Sequence, residues 1–365
     1  MDFRLSDEQT MLKESADRFI ANEAGFQHAR ASNGFAPANW RTMAELGWLQ
    51  LLIPEASGGL GGGAVDAALL TESFGRGLVV TPYISTAAIA VDLLSRADDA
   101  KAYAALLEKL GAGEAFVALA TEEPSSRYDL SRITSIAKPN AGGFALSGVK
   151  IVVQDGAIAD HFLVSALLDG KIALWLVNKD AAGLTLRPYR TLDHAPACDL
   201  SFDDTPATLV FADAAEPLER AIDQARVLLA AEALGCMEGA LTLTAEYIKT
   251  RKQFGRTLSS FQALTHRIAD CYVKCEQLRS ALFRALSLAD ENPRARAASA
   301  SAALITAIEA GEFVCGQAIQ LHGGIGMTEE YSVGHYYKRV RAIGRTYGDL
   351  AFLRRRYINL TQRDV

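Results

Sequence analysis

The sequence has no excess of positive charge: 37 lysines and arginines stand against 43 aspartates and glutamates, for a net charge of −6. Such a chain lacks the basic footprint that nucleic-acid binding along a surface requires. Cysteine is scarce. The five residues Cys198, Cys236, Cys271, Cys275 and Cys315 are odd in number and scattered, which excludes a disulfide scaffold and fits reduced thiols in a cytoplasm. The six histidines show no metal-ligand spacing, so no metal site is expected. The start, MDFRLSDEQT, carries acids where a secretory signal needs a basic segment and then an apolar one. No apolar run approaches the roughly 18 to 20 residues that cross a bilayer, so no membrane insertion is expected.

Half of the 365 residues are apolar. A chain of this length divides into two or three domains at about 100 to 200 residues each. Residues 1–115 read as helical: Ser6 with Gln9 three residues later has the form of a capping box, and Leu12, Phe19 and Ile20 share one helical face. Further helices are expected near 40–49, 65–76, 84–95 and 98–110. The cluster Gly59-Leu60-Gly61-Gly62-Gly63-Ala64 satisfies a relaxed dinucleotide pattern. Its neighbours are helical rather than strand and helix in alternation, so it reads as a turn between helices.

Between 116 and 215 the period shortens. Strand-like runs are Phe116–Ala120, Ile133–Ile136, Phe144–Leu146, Lys150–Val153, His161–Ser165, Ile172–Val177 and Leu184–Leu186, separated by turn formers such as those at 139–143 and 168–170. Short strands without intervening helices predict an antiparallel barrel or sandwich. From 216 to 365 the helical period returns. Leu234, Met237, Leu241, Thr244 and Ile248 form one stripe, and Phe261, Leu264, Ile268, Cys271, Cys275, Leu278 and Leu282 another. Two further helices near 294–321 and 329–341 complete a predicted antiparallel bundle. The fold class is α+β, ordered helical, β and helical.

Two segments carry candidate chemistry. In Tyr247–Gln262, YIKTRKQFGRTLSSFQ, a helix ends in a cationic turn and breaks at Gly255. Arg251 is the residue type for a bidentate grip on pyrophosphate, and an exposed Phe254 can stack on a flat base. The plainer alternative is a helix stop with cations on its dipole and Phe254 in the core. In Gln317–Met327, QAIQLHGGIGM, Gly323 and Gly324 allow close backbone approach to a ligand, and Gln320 offers a donor and an acceptor. His322 reads as a packing residue.

These segments, the opening MDFRLSDEQTMLKESADRF, the loop IPEASGGLGG and the domain order together resemble the acyl-CoA dehydrogenase family over the full chain. The resemblance implies FAD as cofactor, an acyl-CoA thioester as substrate, α,β-desaturation as reaction and an electron-transfer flavoprotein as acceptor. It also implies a tetramer whose flavin lies across a subunit interface. On that basis the cofactor-binding candidates are Arg251, Phe254, Gln262, Gln320, Gly323 and Gly324, with Arg251, Phe254, Gln320 and Gly324 reaching the adenosine pyrophosphate of a neighbouring subunit's FAD.

The resemblance also exposes departures. The family's base is a glutamate after the HGGIG-type motif, where this chain has Tyr347, a phenol protonated at neutral pH. The family's other base position falls on Ala225, before Arg226. The loop following Thr-Glu-Pro is Glu123-Pro124-Ser125-Ser126-Arg127-Tyr128-Asp129, without the usual glycines. Val152 and Gln154 stand where tryptophan and threonine flank the flavin ring. The chain therefore looks like the smaller, base-lacking subunit of heteromeric acyl-CoA dehydrogenases acting on steroid side-chain or dicarboxylic thioesters. The first alternative is a self-sufficient homo-oligomer whose base is displaced to Asp349 or Glu232, although Asp349 also reads as the cap of a helix from Leu350. The second is a non-redox relative that binds acyl-CoA.

Overall fold

The computed structural model describes residues 4–32, 34–140 and 142–362; Met1 to Phe3 of the quoted opening motif and Ala141 lie outside them. Helices α1 (Asp7–Phe19), α2 (Phe26–Ala31), α3 (Pro37–Glu45), α4 (Ala64–Gly77), α5 (Val91–Ser95) and α6 (Ala104–Gly111) come first. Strands β1 (Val117–Ala120), β2 (Ile136–Asn140), β3 (Gly143–Gln154), β4 (His161–Leu168), β5 (Lys171–Asn178), β6 (Leu184–Arg190) and β7 (Pro196–Phe211) follow. Helix α7 (Ala215–Thr250), a hairpin of β8 (Lys252–Gln253) and β9 (Arg256–Thr257), and helices α8 (Gln262–Ser287), α9 (Pro293–His322), α10 (Val333–Ile343) and α11 (Leu350–Thr361) complete the chain. The helical, β and helical order is as the sequence pattern requires.

The capping box forms as expected. Gln9 N donates to Ser6 Oγ and Ser6 N to Gln9 Oε1, both at 3.2 Å. The glycine cluster is a packing turn: Leu60 N, Gly61 N and Gly62 N donate to the carbonyls of Gln50, Ile53 and Leu51. A methyl group on Gly59 would lie 2.2 Å from the Ile53 carbonyl oxygen. With its amides spent on its own chain, this turn has none left to cradle a phosphate.

The chain forms two compact units. One comprises residues 33–67 and 80–225, the other 1–32, 68–79 and 226–365. In the first, β4, β2, β3, β7 and β5 pair in sequence, and β5 pairs back onto β4, which closes a barrel. Most pairs are antiparallel, but β4 runs parallel to both β1 and β2. Leu146, Phe162, Trp175, Cys198 and Leu200 fill the interior.

Three local expectations are corrected here. Residues 133–135 do not form a strand; the buried Glu123 carboxylate takes the amides of Thr134 at 2.8 Å and Ser135 at 3.1 Å. Pro139 and Asn140, expected in a turn, belong to β2. The runs at 144–146 and 150–153 are one strand, β3, kinked by register shifts against β7. The long strand β7 was not anticipated. It alternates buried Cys198, Leu200 and Phe202 with Asp199, Ser201 and Asp203, but Pro196 and Pro206 make the run read as a loop.

The second unit is the bundle. Leu234, Met237, Thr244 and Ile248 are buried along α7, and Cys271, Cys275, Leu278 and Leu282 along α8. The fourth helix begins at Val333 rather than near 329. All five cysteines are buried free thiols, and no cluster able to hold a metal occurs among the described residues. Contrary to the sequence expectation, Ala215–Thr250 and Pro293–Met327 are long and apolar enough to cross a membrane; 72% and 50% of their apolar windows are buried inside the protein. They serve as core helices.

Candidate functional site

The end of α7 and the end of α9 meet through aromatic rings. Tyr247 stacks on His322 with centroids 4.4 Å apart, and Tyr331 flanks His322 at 5.1 Å. His322 Nδ1 lies 2.8 Å from the Ala318 carbonyl and Nε2 3.3 Å from Tyr331 Oη. Burial lowers the pKa of His322, which favours the neutral ring. This is the packing role expected of it, and it joins the two motif-bearing helix ends.

Beyond Tyr247 the chain turns sharply. Arg251 N donates to the Tyr247 carbonyl at 2.8 Å, and Leu258 N returns to the Arg251 carbonyl at 2.9 Å. The hairpin between them has Phe254 at φ 53° and Gly255 at φ 79°, the two positive values that a tight two-residue loop demands. Glycine accepts this conformation without cost, whereas a bulky residue there is strained by about 1 kcal/mol. Phe254 is 89% exposed, so the alternative of a core phenylalanine is corrected. Most of the ring at this hairpin tip is therefore open to solvent and within reach of a ligand or partner.

Arg251 is also exposed, and among the described residues its guanidinium has no hydrogen-bond or ion-pair partner. Gln262 opens α8 and Gln320 lies in the last turn of α9, both exposed. Gly323 has φ 65°, and a methyl group added at Gly323 or Gly324 would meet nothing within 4 Å. The bundle thus presents an unpaired planar cation, a flat ring, two amides and an open glycine backbone. Such a donor set suits pyrophosphate, ribose and a purine.

The β unit is different. Glu122 Oε2 accepts from Ser126 Oγ at 2.9 Å and from Tyr128 N at 3.0 Å, so the 122–128 loop is closed by its own carboxylate. Arg127 and Tyr128 take φ 46° and 70°, keeping a left-handed turn without glycine. Next to it, Lys150 Nζ lies 2.7 Å from Glu123 Oε1, both side chains buried. Burial alone would raise the pKa of Glu123, but hydrogen bonds from Lys150 and Thr134 bring it down to about 2, while burial lowers that of Lys150 against the pull of Glu123. Val152 holds φ 51°, unusual for a β-branched residue. Its N–H donates to Asp199 Oδ1 at 3.0 Å, which also accepts the Tyr189 hydroxyl at 3.0 Å. Glu122, Glu123, Lys150 and the Val152 N–H are thus committed to partners within the β unit.

None of the positions considered for a base presents a carboxylate without a partner. Tyr347 sits at φ 55° before Gly348, its carbonyl accepting from Nε of the buried Arg226 at 2.9 Å. Asp349 caps α11, accepting from Phe352 N at 2.8 Å. Glu232 is forked by Arg339 through bonds of 2.6 and 2.7 Å. Ala225 has only a methyl group. The Tyr247–His322 contact, which joins the two motif-bearing helix ends, links residues 75 apart in the chain, too far for spacing to reveal.

Comparison with known proteins places these features. Domain models described as acyl-CoA dehydrogenase N-terminal, middle and C-terminal domain match residues 6–114, 118–205 and 217–356. The chain is 33% identical over 341 residues to acyl-CoA dehydrogenase IpdE2 of Mycobacterium tuberculosis, covering 91% of each. It is 29% identical to the probable acyl-CoA dehydrogenase YngJ of Bacillus subtilis, covering 91% of this chain and 92% of that one. Among solved structures it resembles a Tcur3481-Tcur3483 steroid ACAD variant, with 33% identity, a TM-score of 0.89 and 97% of each chain covered.

Proposed function

This chain belongs to the acyl-CoA dehydrogenase family, and from that premise we propose that it is the base-lacking subunit of a heteromeric, FAD-dependent acyl-CoA dehydrogenase. The family's members are oxidoreductases acting on CH–CH bonds. In this proposal, the domains run over 1–115, 116–215 and 216–365. The assembly is a cytoplasmic tetramer with a second dehydrogenase-like chain, and its substrate is a bulky thioester such as a steroid-derived acyl-CoA. The likeness to a steroid ACAD supports that substrate class. An electron-transfer flavoprotein receives the electrons.

The observation that carries the reading is the contrast between the two units. Arg251, Phe254, Gln262, Gln320, Gly323 and Gly324 leave donors, an aromatic face and open backbone exposed on the bundle. In the β unit the carboxylates of Glu122, Glu123 and Asp199 are taken up by internal partners, as are those of Asp349 and Glu232 among the positions considered for a base. The bundle residues fit the adenosine pyrophosphate end of FAD: Arg251 holds the charge, Phe254 covers the purine, and the amides and glycine backbone take the polar edges. Bound FAD supplies the hydride acceptor of the desaturation. The α proton must then go to a carboxylate of the partner subunit, since Tyr347 and Ala225 offer none.

Purifying the chain alone and together with a second, base-carrying dehydrogenase-like chain tests this. The expected result is little flavin absorbance for the lone chain and a stable, flavin-loaded complex for the pair. Stoichiometric FAD in the lone chain, bleached by an acyl-CoA, would sink it.

The self-sufficient alternative places the base at Asp349 or Glu232. Asp349→Asn separates the two, because asparagine caps a helix as well as aspartate does. Under the subunit reading the complex with Asp349→Asn keeps its turnover and its melting temperature. Asp349→Ala keeps turnover but loses about 1 kcal/mol of stability from the missing cap. Loss of turnover in the Asn variant at full FAD content would favour the alternative.

A further inference from the structure

The hairpin that carries Phe254 has only two residues in each strand, and an isolated pair of that size has little stability of its own. At its base the chain is tied by the Leu258 N to Arg251 O bond and, one step back, by Arg251 N to the Tyr247 carbonyl. What steadies its tip is a side-chain stack. The Arg256 guanidinium lies over the Phe261 ring with its carbon 4.0 Å from the centroid. Phe254 meets the same Phe261 ring edge to face, at 6.1 Å and 83°. Phe261 is the N-cap residue of α8, so it is fixed to the bundle by the helix it begins.

We infer that Arg256 and Phe261 are positioning residues for the nucleotide grip. Phe261 is the platform, Arg256 clamps the hairpin's return strand onto it, and together they hold Phe254 in its strained, exposed pose and Arg251 at the hairpin base. This rests on the reading of Arg251 and Phe254 as adenosine contacts. It assigns Arg256 a role through Phe261 rather than a direct grip on phosphate. Arranging the hairpin before FAD arrives lowers the ordering cost of binding.

The test uses the FAD-loading form of the protein, the complex with its partner chain or the chain alone if it loads by itself. It is stripped of flavin and titrated with FAD by fluorescence. Arg256→Met, Phe261→Leu, the double variant and Phe261→Tyr are compared with Arg251→Met. An exposed cation–π contact is worth roughly a two- to fivefold change in affinity. Each single variant is therefore expected to weaken FAD binding by about that factor, and the double variant by no more than the worse single one. Phe261→Tyr retains the parent affinity, and kcat at saturating FAD is unchanged. Multiplying effects in the double variant, or an Arg256→Met effect that vanishes at high salt, would mean that Arg256 meets the phosphate directly and overturns the inference. Unchanged affinity in Arg256→Met and Phe261→Leu also overturns it, provided Arg251→Met is impaired. If Arg251→Met itself binds FAD normally, the underlying reading of the site fails instead. Circular dichroism melts confirm that each variant is folded, and Phe261→Leu keeps the apolar bulk at the head of α8 should larger changes not be tolerated.

Discussion

Arg251→Met is expected to weaken the retention of FAD by roughly tenfold or more, on the scale of 1.5 to 3 kcal/mol for hydrogen bonds to a charged group. Methionine keeps the length and apolar stem of the side chain but removes its charge and its fork of donors. Because the guanidinium has no partner among the described residues, the substitution breaks no internal ion pair, and the folded protein should melt as the parent does. The loss therefore reads binding alone. Arg251→Lys should fall between the two, since an ammonium keeps the charge without the planar, bidentate geometry. Dissociation constants from flavin titration, with melting curves alongside, check this. Parent-like FAD affinity in Arg251→Met would remove the main support for the nucleotide grip. Loss of turnover in the flavin-loaded fraction would point instead to a part in the chemistry.

Gly235→Ala should produce the largest loss of stability of any single methyl group discussed. A Cβ at Gly235 would sit 1.8 Å from the Glu72 carbonyl oxygen, and one at Gly75 would sit 1.9 Å from the Glu232 carbonyl oxygen. Helices α4 and α7 thus cross backbone to backbone, each glycine facing the other helix's main chain. Neither helix can yield cheaply. Glu72 is paired with Arg76 and Lys13, Arg76 also binds Glu238, and Glu232 is held by Arg339. Separating the helices would stretch the Arg76–Glu238 pair that bridges them, while the other pairs tie each helix to its own further neighbours. Overpacking of this kind costs about 3 kcal/mol or more, against a gain of about 1 kcal/mol from the helix preference of alanine. With about 2 kcal/mol net, a fall in Tm of roughly 3 °C or more is expected for a chain of this size. Gly316→Ala is the control: its methyl would meet only the Tyr337 ring at 3.9 Å, so Tm should hold or rise. Equal melting temperatures for the Gly235 and Gly316 variants would show that the crossing is looser than its distances imply.

By itself the sequence determined the order of helical, β and helical regions, because hydrophobic periodicity depends only on residues a few positions apart. It also determined the Ser6 capping box, the break at Gly255, the Asp349 cap and the motif residues from Arg251 to Gly324, all local in the chain. It missed β7, whose prolines and paired aspartates mimic a loop until the barrel supplies strands on both sides. Only the tertiary structure decided what long-range contact decides. It took residues 133–135 out of the sheet by giving the Thr134 and Ser135 amides to Glu123. It closed the 122–128 loop with Glu122, and turned the N–H of Val152 to Asp199. It joined the two motifs through Tyr247 and His322, 75 residues apart, and left Phe254 exposed rather than buried. Composition and spacing specify which groups a chain carries; whether a carboxylate, an amide or a ring is spent on the protein or left for a ligand depends on neighbours that only folding brings into reach.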